Sequence, residues 1–75
     1  MIQVTVKLFP PLRTNRFAEA AVELEAPATV TSLLVHLSIK PEHVESIYIN
    51  GREAGFGHSL AEGDKVSFLP SIGGG

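Results

Sequence analysis

Cysteine is absent from these 75 residues. Its absence excludes disulfides, zinc–thiolate sites, iron–sulfur ligation and a thiol nucleophile. It also removes the staple on which small secreted domains rely. Positive charge is scarce as well. Six basic residues, Lys7, Arg13, Arg16, Lys40, Arg52 and Lys65, are scattered along a chain of net charge −2. Binding to a phosphate backbone needs clustered Lys and Arg, so no nucleic-acid partner is expected. No apolar run reaches transmembrane length and no signal-peptide pattern opens the chain. No membrane partner is expected, and a cytoplasmic protein is the simplest reading. The chain is also short. A domain of about 60 residues buries only ~60% of its unfolded surface, so one domain is expected, without room for a second core or a deep, lidded enzyme pocket.

What is present is a clear alternation of periods. Ile2 to Phe9 repeats every two residues, with Ile2, Val4, Val6 and Leu8 on one face and Gln3, Thr5, Lys7 and Phe9 on the other. That predicts a half-buried strand, ended by Pro10-Pro11 because proline gives the ladder no donor. Leu12 to Glu19 reads as a loop. Ala20 to Glu25 predicts a second strand, with Val22 and Leu24 on one side and Glu23 and Glu25 on the other, broken by Pro27. Thr29 is a candidate N-cap. Val30, Leu33, Leu34 and Leu37 then recur at helical spacing, and Pro41 requires the helix to stop by Ile39. Val44 to Ile49 predicts a third strand with Ile47 and Ile49 on one face. Asn50-Gly51 predicts a type I′ hairpin turn, so Arg52 to Ala54 is expected to return as a short strand. Leu60 is expected to plug the core. Gly63 is expected at a positive φ in a tight turn. Lys65 to Pro70 forms the last predicted strand, with Val66 and Phe68 inward.

One helix must therefore cover one face of a mixed sheet of four to five strands, an α+β arrangement. The expected core is Ile2, Val4, Val6, Leu8, Val22, Leu24, Val30, Leu33, Leu34, Leu37, Ile49, Leu60, Val66 and Phe68. The same alternation leaves apolar residues outside. If Val66 and Phe68 face in, Leu69 faces out, and Phe9 does likewise on the first strand. Were those strands neighbours, Phe9 and Leu69 would form a patch, extended by Tyr48. Single exposed apolar residues need no explanation, but a cluster of them reads as a docking surface, and aromatics are enriched in interface cores.

The last residues are Gly73-Gly74-Gly75. A compact domain gains nothing from a terminal triglycine, since glycine loses the most entropy when ordered. A frayed end or cloning remnant is the plain explanation. The alternative is a thin, flexible tail over 71–75, beyond a folded domain over 1–70, able to enter a channel that side chains would block. Ordering such a tail would cost roughly 1–2 kcal/mol of backbone entropy per residue, so specificity is expected to come from the globular patch.

Several segments together resemble a known family. Val6-Lys7-Leu8-Phe9 with Leu12-Arg13, the Thr29-Val30…Leu33-Leu34…Leu37 helix, Asn50-Gly51, and Leu60…Glu62-Gly63-Asp64-Lys65-Val66 are similar to the MoaD/ThiS-like ubiquitin-like sulfur carriers. The run Phe68-Leu69-Pro70-Ser71-Ile72-Gly73-Gly74-Gly75 resembles the Phe-x-Pro-Pro-Val-x-Gly-Gly close of the small subunit of molybdopterin synthase. The resemblance implies a β-grasp (ubiquitin-like) fold and a non-catalytic carrier or co-substrate. Its terminal carboxylate would be adenylated by a ubiquitin-activating-type enzyme using ATP, then converted to a thiocarboxylate that donates sulfur in molybdopterin (molybdenum/tungsten cofactor) biosynthesis. Gly75 would carry the adenylate and then the sulfur, with Gly74 and Gly73 threading the channel. Phe9, Leu69, Tyr48, Pro70 and Ile72 would contact partners, with Arg13 in polar contacts beside them. The partners would be the adenylating enzyme and the large subunit of molybdopterin synthase or its equivalent, with no cofactor bound by the carrier itself. A thiamine-pathway or other sulfur carrier and a ubiquitin-like protein modifier remain open on the same residues.

No metal site is expected, because His36, His43 and His58 lack paired ligand spacing. Glu42 with Glu45, and Glu62 with Asp64, read as solvated loop charges. No Ser/His/Asp arrangement stands in a catalytic context.

Overall fold

A computed structural model describes residues 1–71. Strand β1 (Ile2–Leu8) pairs antiparallel with β2 (Glu19–Leu24) and parallel with β7 (Lys65–Pro70). Strand β4 (Val44–Ile49) pairs antiparallel with β7 and with the two-residue β5 (Arg52–Glu53). The sheet order is β2-β1-β7-β4-β5. Helix α1 (Val30–Leu37) covers one face. A separate two-residue pair joins β3 (Ala28–Thr29) to β6 (Ser59–Leu60). This is the expected mixed five-stranded β-grasp with one main helix.

Local chemistry explains each boundary. Thr29 caps α1 by accepting the Ser32 amide, while Ser32 Oγ accepts the Thr29 amide at 2.7 Å, a reciprocal capping box. The helix ends earlier than the position of Pro41 required. Ser38 adopts a left-handed conformation, φ 57°, and the Ile39 amide donates to Leu34 O at 2.9 Å, closing the end as a Schellman turn. Asn50 and Gly51 both have positive φ, as a type I′ turn requires. Asn50 also ties the hairpin to β7, because its side-chain oxygen accepts the Lys65 amide and its Nδ2 donates to Asp64.

The core centres on Phe68, which is fully buried among Val4, Val6, Leu8, Val30, Leu33, Leu34 and Val66. Two expected core residues, Ile2 and Leu37, are only partly buried, because each lies at the end of its element. Five residues outside the expected core are buried: Leu12, Ala28, Ile39, Val44 and Ile47. A bulge between Val44 and Ser46 resets the alternation of β4, so Val44 and Ile47 both face in. The second strand begins one residue earlier than the pattern indicated, at Glu19. Leu60 does plug the core, held there by the β3–β6 pair.

Candidate functional site: the corner where the last strand leaves the sheet

The parallel pairing of β1 with β7 aligns Leu8 with Phe68. One step on, Phe9 and Leu69 stand side by side on the sheet face away from α1, and the Phe9 amide still donates to Phe68 O at 3.4 Å. Both are half-buried. Across β7, Leu69 pairs with Ser46 and Ser67 pairs with Tyr48. Tyr48 is therefore the diagonal neighbour of Leu69, close enough for an aromatic ring to reach. It is exposed, at 36%. The face thus carries a corner of Phe9, Leu69 and Tyr48, softened by Ser46 and Ser67.

Lys7 joins this corner, though the sequence did not mark it as a site residue. It lies on the same face of β1, and its Nζ is 5.4 Å from the centre of the Phe9 ring, within cation–π range. Alternation alone places Lys7 and Phe9 on one face and could have suggested the pair. Arg13 is exposed in the loop after β1, and none of its side-chain atoms takes part in a hydrogen bond among the described residues.

That loop is shaped by Arg16 instead. Its Nη1 donates to Leu12 O at 2.8 Å, its Nη2 to Ser38 O at 2.9 Å and its Nε to Leu37 O at 3.3 Å. A guanidinium suits this place, because a helix C-terminus leaves carbonyls unpaired and carries negative dipole charge. The bonds clamp residues 9–18 against the end of α1 and seat Leu12 in the core.

Pro70 is half-buried and Ser71 exposed at the end of β7. The Ser71 amide donates to His43 O at 2.9 Å, tying the exit to the 3-10 turn Pro41–His43. Pro11, Leu12, Arg16, Glu42, His43, Pro70 and Ser71 line an open groove of about 420 Å³ at this exit. Glu42, read from sequence as a solvated loop charge, and His43, considered there only as a metal ligand, are brought to it by the 3-10 turn. The remaining expected site residues, Ile72, Gly73, Gly74 and Gly75, lie outside the described residues, as does most of the expected 71–75 tail.

A second hollow, of about 480 Å³, lies at the opposite end of β4 between Ile49, Asn50, Arg52, Glu53, Ala54, His58 and Asp64. Its Asn50 and Asp64 are engaged with each other and with the backbone. Among the described residues no three His, Cys, Asp or Glu side chains gather to hold a metal ion, and no helix is long and apolar enough to cross a membrane.

Comparison with known proteins agrees with this architecture. A family model described as the ThiS family matches residues 6–75. No curated protein matches the chain by sequence. Among solved structures, small archaeal modifier protein 1 of Haloferax volcanii is similar at 21% identity and a TM-score of 0.79, over 96% of this chain and all of that one. Subunit 1 in the complex of molybdopterin-converting factor subunits 1 and 2 from Helicobacter pylori is similar at 22% identity and a TM-score of 0.66, over 99% of this chain and all of that one. A ubiquitin-like domain from Arabidopsis thaliana is similar at 26% identity and a TM-score of 0.60, over 95% of this chain and 79% of that one. At these identities the likeness is one of fold.

Proposed function

The chain belongs to the ThiS family, and from that membership we propose that it is a sulfur carrier whose Gly75 carboxylate is activated by a partner enzyme. The observation that carries the reading is the dual role of β7. The strand that presents Leu69 beside Phe9 also leads through Pro70 and Ser71 toward the glycines. A partner gripping the corner would thereby receive the tail in a defined direction.

The chemistry demands such a partner. A free carboxylate has a pKa of about 3.3–3.7 and is ionised at neutral pH, so it resists nucleophiles. In the proposed sequence, a carboxylate oxygen attacks the α-phosphorus of ATP, and pyrophosphate leaves. A sulfide-level sulfur nucleophile then displaces AMP from the acyl-adenylate, leaving a thiocarboxylate on Gly75. Transfer of that sulfur to an acceptor, with water supplying the replacing oxygen, returns the carboxylate. The carrier contributes reach and recognition; ATP and the catalytic groups belong to the adenylating enzyme. The acceptor proposed is the molybdopterin precursor, held on a large subunit. The fold shared with subunit 1 of the Helicobacter pylori complex supports a large-subunit partner.

A second reading is favoured by the likeness to small archaeal modifier protein 1. There the activated glycine would form an isopeptide bond with a lysine amine instead. Intact-mass measurement after incubation with the adenylating enzyme of the same host, ATP and a sulfur donor separates the two. The carrier reading expects the gain of one sulfur for one oxygen, abolished by deletion of Gly75. Conjugates of higher mass would select the modifier reading. An unchanged mass with an active enzyme would refute both.

A further inference from the structure

The outer edge of the sheet has a feature that neither tail nor corner uses. The Leu8 amide donates to Ala18 O at 2.8 Å, whereas the Thr5 and Phe9 amides turn the other way, to Asp64 O and Phe68 O. Even-numbered residues of β1 thus face β2, and odd-numbered ones face β7. By the antiparallel register, Ala20, Val22 and Leu24 exchange bonds with β1. Glu19, Ala21 and Glu23 must then turn their amides and carbonyls outward. Strand β2 is the edge of the sheet, and among the described residues no backbone group pairs with these three.

Such an edge is usually blunted by a bulge, an internal proline or inward charges. Here the register runs unbroken from Glu19 to Leu24, with no proline inside the strand. What stands along it is negative charge. Residues 19–25 hold three of the eight acidic residues, Glu19, Glu23 and Glu25, and none of the basic ones. All three are exposed, and Glu19 and Glu23 share the open sheet face. Two copies meeting edge to edge would set glutamates against glutamates, which is unfavourable. A strand of opposite charge meets no such barrier.

We infer that the β2 edge accepts an extended segment of another protein, with Lys or Arg at alternate positions, as a sixth strand. Its main chain takes up the outward amides and carbonyls of Glu19, Ala21 and Glu23, and its side chains supply selectivity. The cations lie on the open face beside Glu19 and Glu23, where the small Ala21 leaves room between them. The intervening side chains point to the helix side and extend the apolar layer of Val22 and Leu24, so β-branched residues suit them. This surface works independently of the glycine tail.

The test is an NMR titration of the full chain, isotope-labelled, with the acetylated and amidated hexapeptide Lys-Val-Lys-Val-Lys-Val at low salt. The expected result is saturable shifts at the amides of Glu19, Ala21 and Glu23. Binding should weaken with added salt and fall roughly three- to thirtyfold in the Glu19→Gln/Glu23→Gln variant. Deletion of Gly75 should leave it unchanged. The same peptide N-methylated at alternate residues, in the phase that faces the chain, should not bind. Equal binding of both N-methylated phases would reduce the contact to charge attraction and overturn strand addition. Shifts centred on Phe9, Ser67 and Leu69, self-association through residues 19–23, or no saturable shift would each overturn the inference.

Discussion

Leu69 and Phe68 are adjacent in β7, yet the fold assigns them opposite consequences. Phe68 is fully buried at the centre of the core, while Leu69 is half-buried on the open face. Full burial of a leucine contributes about 1.5–3 kcal/mol. Since at least about two-thirds of Leu69 is already covered, docking gains no more than about 0.5–1 kcal/mol from it. Leu69→Glu forfeits that gain and carries an unpaired carboxylate into a desolvated contact, a further ~1–3 kcal/mol. Partner affinity should therefore fall by roughly 1–4 kcal/mol, or about 5- to 1,000-fold. In the free protein the new carboxylate projects from the open face diagonally from Lys7 and its stem keeps part of the leucine's cover, so folding should lose no more than about 2 kcal/mol. Phe68→Ala should instead cost about 3–5 kcal/mol, much of the ~4–11 kcal/mol typical of a domain this size. Urea denaturation reads the folding terms, and titration calorimetry against the adenylating enzyme reads the docking term. If Leu69→Glu destabilises as much as Phe68→Ala, the facing of β7 is wrong. If it folds and binds within twofold of the parent, the corner is not the docking surface.

Other expectations follow from the supports of that corner. Thr29→Ala removes half of the capping box and should cost about 1 kcal/mol in denaturant unfolding. Ser38→Gly should do the reverse, stabilising by about 0.5–1 kcal/mol, because Ser38 holds a left-handed conformation at φ 57° that glycine adopts without strain. Arg16→Met keeps the aliphatic stem but removes three hydrogen bonds. It should cost about 1–2 kcal/mol and speed hydrogen exchange at the Leu12 amide, which is bonded to Phe9 O.

Legibility from sequence followed the range of the interactions involved. The alternation of β1, the apolar stripe of α1 and the Asn50-Gly51 turn are local signals, and the structure has them where the pattern placed them. The strands β3 and β6 are two residues each, too short to show any period. Leu12 and Ile39 lie beyond their regular elements, so their burial depends on segments distant in sequence. The helix stops within the limit that Pro41 sets, and its end at Leu37 was not legible because Ser38, a residue without glycine's preference, takes the left-handed position. At the site, Phe9, Leu69 and Tyr48 were legible as outward residues, since facing needs only a period of two. Their proximity depended on β1 and β7 being neighbours, which only the topology supplies. Arg16 read as one more loop cation because its partners are main-chain carbonyls, two of them more than twenty residues away.

The position of β7 has a consequence for the life of the molecule. It lies between β1 and β4, yet a ribosome makes it after every other strand of the sheet. Until it emerges, β1 with β2 and β4 with β5 are two separate fragments with no strand to join them, and Phe68 is missing from their core. Contacts so distant in sequence form late and slowly. The event that closes the sheet is also the one that sets Leu69 beside Phe9 and ties Ser71 to His43. An unfinished or misfolded molecule therefore lacks the corner as well as the fold. A partner that requires the corner would thereby engage only molecules whose sheet has closed.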